Sequence, residues 1–243
     1  MAETATRHAP YANVLVFGAS GVIGERICHR FQRDNIKTYG VSRSLNLSHS
    51  ELSVSLVWSL EKKFNADDFV GLNKFDAVVW AQGANCNDTI KNFERNLHQE
   101  IYEANVVFIL ESLRQLMDLG LIAYGARLCV VSSIWQEIAR QNKLSYTVTK
   151  SALRGLVQSL SIDLGPDNIL VNAVLPGALD TPMTRANLTS TQIHKLENET
   201  PLRSLPQFED VCELVVFLCS DRNTGITGQF IAADRGYSFV RYL

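Results

Sequence analysis

The feature of this sequence that most restricts its fold is an alternation of short apolar runs with longer amphipathic segments. Runs typical of buried strands lie at 13–19, 37–42, 54–60, 75–83, 126–133, 169–177 and 228–234. Helical periodicity follows at 21–34, and longer helices are predicted at 96–120 and around Tyr146. Apolar strands that alternate with helices predict an α/β fold. The expected architecture is a doubly wound, Rossmann-like parallel sheet of about seven strands with helices on both faces.

The domain organisation predicted from the sequence is simple. The 243 residues contain no repeat, low-complexity tract or interdomain linker, so 1–243 is expected to form a single domain. A polar segment at 180–206 lacks a clear pattern and is expected to be mobile and to cover a substrate. The substrate itself is expected to lie against residues 134–142.

Composition excludes several classes of function. A formal net charge of −2 gives no reason to expect a nucleic-acid or membrane partner. The five cysteines are scattered without CxxC spacing, which favours reduced thiols over a disulfide framework or a metal site. The N-terminus has no apolar stretch of signal-peptide length, and no run reaches the roughly 20 residues of a membrane span, so a cytoplasmic location is expected.

Three glycines separate the first predicted strand from the first helix. Gly18, Gly21 and Gly24 lie in "VFGASGVIG", where a backbone without Cβ can approach a ligand and a helix N-terminus attracts phosphate. Glycines also occur in ordinary tight turns, but their position between strand and helix favours dinucleotide binding.

The second predicted strand bears on which dinucleotide is bound. It ends "GVSRS", without the carboxylate that usually meets a free ribose hydroxyl. Ser42, Arg43 and Ser44, joined by Ser20 of the glycine turn, instead suit a 2′-phosphate. NADP(H) is therefore the preferred cofactor and NAD(H) a possible one, although Arg43 could equally be a solvated surface residue.

Six elements in a fixed order resemble the short-chain dehydrogenase/reductase family in its compact single-domain form. The resemblance covers nearly the whole chain. The elements are "GASGVIG", "AQGAN" at 81–85, Asn105 in "EANVVF", Ser133 and Tyr146 in "VVSSIWQ…LSYTVTK", Pro176, Gly177 and Thr181 in "LPGALDTPM", and the C-terminal "TPLRSLPQFED…TGQFIAADRG". The chain departs from the compact pattern at Val22, where a glycine is usual.

The resemblance implies the roles of the site residues. Asn105, Ser133, Tyr146 and Lys150 would be catalytic: Asn105 would hold a water, Ser133 would donate to the substrate oxygen, and Lys150 would bind the nicotinamide ribose. The cofactor-binding residues would be Gly18, Ser20, Gly21, Val22, Ile23, Gly24, Ser42, Arg43, Ser44, Ala81, Gln82, Gly83, Tyr146, Lys150, Pro176, Gly177, Leu179 and Thr181. Taken singly, Asn105 could be a helix-interior residue and Ser133 the end of a strand.

Tyr146 and Lys150 lie one helical turn apart, so the ammonium can approach the phenol. A phenol has a pKa of about 10, and lowering it by roughly 3 units requires about 4 kcal/mol. Lys150 together with an oxidised nicotinamide is expected to supply this, which would make Tyr146 a general acid or base.

The function expected from these observations is the interconversion of a ketone and a secondary alcohol, acting as a reductase on a small-molecule carbonyl or alcohol substrate. A homodimer or homotetramer is expected from the family. Two alternatives stay open: a sugar-nucleotide epimerase or dehydratase, and a non-catalytic NAD(P)-binding sensor or scaffold protein.

Overall fold

The structure is a computed structural model that describes residues 11–43, 54–69, 73–181, 184–185 and 189–239. Its strands are β1 Asn13–Phe17, β2 Lys37–Ser42, β3 Val54–Val57, β4 Phe75–Trp80, β5 Ile122–Val131, β6 Leu170–Pro176 and β7 Phe230–Ala233. They form one sheet in the order β3-β2-β1-β4-β5-β6-β7, and every neighbouring pair is parallel. The predicted doubly wound parallel sheet of seven strands is therefore confirmed.

The helices connect successive strands. They are α1 Val22–Arg33, α2 Arg95–Tyr102, α3 Phe108–Asp118, α4 Leu144–Asp163, α5 Ser190–Glu199 and α6 Phe208–Leu218. No helix in the described part of the chain combines the length and the apolar composition needed to cross a membrane.

Both faces of the sheet are covered, and the residues of β1 show how. Leu15 and Phe17 belong to the apolar cluster that includes α3 and α4, whereas Val14 and Val16 belong to the cluster that includes α1 and α6. All four side chains are fully buried. Since successive side chains of a strand point to opposite faces, a strand covered on both sides must be apolar throughout.

The strand order places a crevice above β1. This strand pairs with β2 on one side and with β4 on the other, so the connections that follow β1 and β4 diverge. A crevice at such a switch point, outside the carboxyl ends of the strands, is where open α/β sheets bind ligands. The fold thus predicts the position of the site.

A cluster of aromatic side chains forms the floor of that crevice. The rings of Phe17 and Trp80 stack with their centres 5.8 Å apart, and Trp58 meets Phe108 edge-on at 4.6 Å. The indole nitrogen of Trp58 donates to Gln115 Oε1 at 2.6 Å, which satisfies its one buried donor. The cluster holds the end of β3 firmly beneath the crevice.

The helix predicted at 96–120 is not a continuous α-helix. A π-helical turn, Glu103–Val107, joins α2 to α3. Such single turns shift the side chains that follow and occur often at functional sites. Asn105 lies in this turn and is buried.

The polar segment at 180–206 contains more regular structure than its sequence indicated. Helix α5 begins after Thr189, whose side chain accepts from the backbone nitrogen of Gln192, and the Gln192 side chain accepts from the backbone of Thr189. This capping box is a helix signal of two residues. Apolar periodicity gives no signal here, because Ile193 is the helix's one buried side chain.

Candidate active site

The turn between β1 and α1 brings glycine backbones into close contact. Gly18 has a φ of +77°, and a Cβ at this position would lie 2.6 Å from the backbone nitrogen of Gln82. A Cβ on Gly24 would overlap the carbonyl oxygen of Gly18. Gly21 precedes the first residue of α1, whose first N–H groups lack intrahelical partners and are available to an anion. The turn therefore has the form of a phosphate cradle.

A cavity of ≈ 250 Å³ opens beside this turn. Both side-chain amide atoms of Gln82 are buried there without a hydrogen-bond partner in the part of the chain that the structure describes. A buried amide without partners costs free energy, which a ligand with donor and acceptor groups would recover. The cavity is lined by Gly18, Ser20, Gly21, Val41, Ser42, Arg43, Trp58, Ala81, Gln82, Gly83, Ala84, Ala104 and Phe108. Together with the glycine cradle, these residues fit a dinucleotide.

Three of the four residues predicted to select the cofactor line this cavity. Ser20, Ser42 and Arg43 line it, and Arg43 is exposed. No aspartate or glutamate is among the described residues that line it. Ser44, the fourth predicted residue, lies outside the described residues. The cavity thus offers a guanidinium and hydroxyls to the adenosine end of a dinucleotide.

Ser133, Tyr146 and Lys150 come together where β5 ends and α4 begins. Ser133 and Tyr146 line the same cavity, and the Ser133 side chain lies near enough to the phenol to lower its pKa. The Nζ atom of Lys150 lies 5.7 Å from the centre of the Tyr146 ring and donates to the carbonyl oxygen of Val131 at 3.3 Å. A phenol, a hydroxyl and an ammonium thus meet at the carboxyl edge of the sheet.

Burial dominates the protonation of Tyr146 and Lys150. It raises the pKa of Tyr146 above its ordinary value, and the nearby Ser133 side chain opposes this only in part. It also lowers the pKa of Lys150 to about 8. The sequence led us to expect that Lys150 and the cofactor acidify the phenol. In the chain alone, desolvation of the phenolate prevails instead, because both groups are buried together.

The side chain of Asn105 connects α4 to the loop that follows β4. Its amide nitrogen donates to the carbonyl oxygen of Ala84 at 3.0 Å and to Thr149 Oγ1 at 2.9 Å. Its oxygen accepts from the backbone nitrogen of Ala84 at 2.8 Å. A Cβ on Gly83 would lie 3.0 Å from this oxygen and 3.5 Å from the Nζ atom of Lys150. Asn105 therefore fixes the backbone beside Lys150.

A second cavity, of ≈ 500 Å³, lies over Ser133 and Tyr146. Its lining includes Arg140, from the stretch 134–142 expected to face the substrate, and Thr184, from the segment at 180–206 expected to cover it. Asn85, the last residue of "AQGAN", also lines it, whereas Asn87 and Lys143 were not predicted for the site. Trp135, Ser132 and Ala178 complete its wall together with the residues predicted for the site. The cavity is large enough for a small substrate beside the reactive end of a cofactor.

The remaining predicted cofactor residues surround this second cavity. Ile23, Pro176, Gly177 and Leu179 line it. Thr181 is not part of the described lining of this cavity. Its hydroxyl accepts from the backbone nitrogen of Thr184 at 2.9 Å, and so it positions Thr184, which does line the cavity.

Val22, by contrast, is 54% exposed on the first turn of α1 and lines neither cavity. Its position follows from the helix geometry, because the residue that opens α1 directs its side chain away from the sheet.

An acidic residue distant in sequence holds the first turn of α4. One Asp88 carboxylate oxygen accepts from the backbone nitrogen of Ser145 at 3.0 Å, and the other accepts from the Ser145 hydroxyl. Burial favours the neutral acid, but the hydrogen bonds from Ser145 outweigh it, so the pKa of Asp88 is lowered. His98 Nδ1 lies 2.8 Å from the same hydroxyl. This network fixes the residue next to Tyr146.

The role of Asp88 was not predicted, because the loop after β4 carries no motif that indicates its partner, which is 57 residues away. Lys143 lies one residue beyond the stretch 134–142 that was expected to face the substrate, and Arg140 lies within that stretch. The place of Lys143 between Ser133 and Tyr146 was the available signal, since any residue there is confined near the reacting groups.

Comparisons with known proteins identify the family of the chain. A family model described as Enoyl-(Acyl carrier protein) reductase matches residues 63–238. A 3-oxoacyl-(acyl-carrier-protein) reductase of Aquifex aeolicus is 28% identical over 229 residues, which are 93% of this chain and 87% of that protein. An uncharacterized oxidoreductase of Bacillus subtilis is 28% identical over 162 residues, 67% of this chain and 66% of that protein, so the chain spans just under two thirds of this relative.

Solved structures share the fold. A short chain dehydrogenase family protein from Francisella tularensis superposes with a TM-score of 0.80 at 26% identity, covering 93% of this chain and 98% of that one. A gluconate 5-dehydrogenase from Burkholderia cenocepacia, in complex with NADP and tartrate, has a TM-score of 0.86 at 18% identity, covering 96% and 97%. The family model spans well over half of the chain. The chain therefore belongs to the short-chain dehydrogenase/reductase family of NAD(P)-dependent oxidoreductases.

Proposed function

We propose that this protein is an NADP(H)-dependent oxidoreductase that interconverts a ketone and a secondary alcohol by hydride transfer, acting as a reductase with Tyr146 as the general acid. The observation that supports this most directly is the meeting of Ser133, Tyr146 and Lys150 beside a cavity of substrate size. The dinucleotide cavity is next to it, since Ala84 lines one cavity and Asn85 the other.

Each of the three residues has a separate part in the proposed reaction. The cofactor, when bound, supplies the hydride. The hydroxyls of Ser133 and Tyr146 hold the substrate carbonyl oxygen, and Tyr146 gives it a proton as negative charge develops there. Lys150, held by the carbonyl of Val131, then stabilises the phenolate that remains.

The protonation of Tyr146 supports the reductive direction. An acid catalyst must carry its proton when the carbonyl arrives, and burial raises the pKa of Tyr146. The phenol is then protonated at neutral pH, ready to donate. Oxidation would require the phenolate, which burial disfavours.

The preference for NADP(H) is supported by the charge at the adenosine end. Arg43 is the charged side chain of the described lining of that cavity. A guanidinium pairs well with a phosphate, whereas recognition of the free ribose hydroxyls would use a carboxylate.

We also propose that the segment at 180–206 covers the substrate. Thr184, within this segment, lines the cavity over Tyr146, and helix α5 makes up ten of the segment's residues. A covering segment excludes water from the hydride transfer.

A homodimer or homotetramer is supported by apolar side chains on the two long helices. Leu110 of α3 is 46% exposed, and Val148 and Ile162 of α4 are 44% and 75% exposed. Light scattering on the purified protein tests this, and a monomer at micromolar concentration would exclude it.

The test of the proposed function combines binding with turnover. NADPH is expected to bind more tightly than NADH, and Arg43→Gln should remove that difference. Tyr146→Phe should bind NADPH normally and yet lose reduction of a ketone panel. Normal turnover in that variant would refute the acid role. Conversion of sugar nucleotides without ketone reduction would favour an epimerase or dehydratase, and cofactor binding without any turnover would favour a sensor or scaffold.

A further inference from the structure

The cavity over Tyr146 carries positive charge that the proposed hydride transfer does not explain. Arg140 and Lys143 line it, and the described residues of its lining include no aspartate or glutamate. In the part of the chain that the structure describes, neither cation forms an ion pair with a carboxylate. Two neighbouring cations that lack a paired carboxylate repel one another, so the arrangement favours binding of an anion.

Lys143 is directed into the site by neutral groups. Its Nζ atom donates to Asn85 Oδ1 at 2.8 Å and to the carbonyl oxygen of Cys86 at 3.1 Å. An ammonium has three donors, so one remains available to a ligand. The same atom lies 5.9 Å from the centre of the Tyr146 ring. An anion bound here would therefore lie close to the carbonyl that Tyr146 protonates.

Asp88 acts on Lys143 only at a distance. Its charge favours the ammonium, but both of its carboxylate oxygens accept hydrogen bonds from Ser145, and it forms no ion pair with Lys143. Burial, and then repulsion from Arg140, lower the pKa of Lys143 in spite of Asp88. An oxyanion bound in the cavity would oppose both effects, because it would stabilise the ammonium.

Arg140 is the second cation that lines this cavity. It is exposed, and its guanidinium carbon lies 5.5 Å from the centre of the Trp135 ring, a distance at which a cation over an aromatic face is held weakly in place. Its N–H groups have the fork geometry that suits a carboxylate or phosphate. If Lys143 only stabilised the loop at Cys86, that role would not explain why a second cation lies beside it.

We propose that the substrate is a carbonyl compound bearing an oxyanion, a carboxylate or a phosphate, which Arg140 and Lys143 bind close to the reacting carbonyl. This inference rests on the proposed function for the carbonyl group, but the anion site itself does not depend on turnover. The two cations then determine specificity, while Ser133 and Tyr146 perform the chemistry.

The test measures binding without reaction. The full chain carrying Tyr146→Phe is saturated with NADPH, and titration calorimetry compares short α-, β- and γ-keto acids with their methyl esters. A second arm compares dihydroxyacetone phosphate with dihydroxyacetone. At least one anion should bind tenfold or more tightly than its neutral counterpart, because a charge-assisted hydrogen bond contributes about one order of magnitude.

Variants then assign the preference to the two cations. Arg140→Gln should remove most of the preference for the anion over its neutral counterpart. Lys143→Gln should also remove most of this preference if the anion lies between Arg140 and Lys143. Arg222→Gln is the matched control, since it removes one exposed cation at a cavity near the starts of β1 and β2, on the opposite edge of the sheet. It should retain the preference.

Each outcome has a defined meaning. Preference in the acid arm identifies a carboxylate, and preference in the phosphate arm a phosphate. Equal binding of anions and neutral counterparts in both arms overturns the proposal, as does a preference that survives both Arg140→Gln and Lys143→Gln. Wild-type turnover is followed in parallel. A charge preference without any reduction supports the anion site and rejects the proposed function. Reduction without a charge preference supports the proposed function and rejects the anion site.

Discussion

The Nζ atom of Lys150 lies 5.7 Å from the centre of the Tyr146 ring; Lys150 is buried, and Tyr146 is half-buried at the wall of the cavity. Proximity alone would favour the ammonium and the phenolate together. Burial favours the neutral amine and the neutral phenol, and in the chain alone burial prevails. The charged form of either side chain is therefore destabilised in the free chain, and a bound cofactor and substrate can change this.

Replacement of the buried lysine should stabilise the free protein. Burial lowers the pKa of Lys150 from 10.5 to about 8, so at pH 7 the folded chain carries an ammonium that costs roughly 3 kcal/mol. Lys150→Met should raise the free energy of unfolding in urea by up to this amount while abolishing turnover.

The stability difference between wild type and Lys150→Met should depend on pH with a defined sign. Between pH 8 and 10.5 the folded wild type has lost the proton of Lys150 and the unfolded chain retains it. Wild type therefore gains stability as pH rises through this range, and its deficit against Lys150→Met should shrink. Lys195→Met, at an exposed lysine of α5, is the control and should change stability by less than about 0.5 kcal/mol. A pH-independent difference would contradict the assignment to Lys150.

The titration of Tyr146 should depend on the cofactor. In the free chain its phenolate should form only above the ordinary pKa of a tyrosine, because burial raises its pKa. Oxidised NADP should move this titration to lower pH, since a second cation next to the phenol favours the phenolate. The measurement is the ultraviolet difference spectrum of wild type minus Tyr146→Phe, with and without the cofactor. Superimposable titrations would exclude electrostatic activation by the cofactor.

The glycine cradle should not tolerate a side chain. In Gly24→Ala the new Cβ would overlap the Gly18 carbonyl oxygen, so the turn must shift. We expect a loss of at least about 2 kcal/mol of stability and a clear loss of NADPH affinity. Gly155→Ala on α4 is the matched control, because its Cβ would meet no atom within 4 Å. It should stabilise the helix by about 0.5–1 kcal/mol and leave cofactor affinity unchanged. Equal NADPH affinity in both variants would argue against the cradle.

Loss of the Asp88 carboxylate should disturb the start of α4. Asp88→Asn is expected to cost about 1–3 kcal/mol at pH 7, because hydrogen bonds from Ser145 to a charged acceptor are lost. The pKa of Asp88 is lowered from 3.8, so its stabilisation exists above that value and disappears as pH falls through the folded pKa.

Urea unfolding of wild type and Asp88→Asn at neutral and acidic pH measures this difference in the free energy of unfolding. The deficit of Asp88→Asn should shrink in acid, and kcat should fall because Tyr146 is displaced. Asp118→Asn, at an exposed ion pair on α3, should have little effect at either pH. An acid-insensitive deficit would show that the carboxylate charge is not what Ser145 requires.

The described part of the fold could be predicted to a large extent because its signals are local. The apolar run at 37–42 coincides with β2, since the run and the strand are both bounded by turn residues. The strand at 126–133 was placed too late in the chain. β5 begins at Ile122, where Gly125 adopts a φ of +76° and the pairing with β4 shifts register. The pairing with β4 passes from Ile122 directly to Arg127, so the first part of β5 is an irregular stretch that an apolar run does not reveal.

The sequence by itself determined the alternation of strands and helices, the glycine turn and the one-turn spacing of Tyr146 and Lys150, because each depends on residues close together in the chain. Only the tertiary structure decided the protonation of that pair, the contact of Asp88 with Ser145, and the uncompensated charge of Arg140 and Lys143. Desolvation and charge balance depend on what distant segments bring to a site, and no local pattern of residues encodes that.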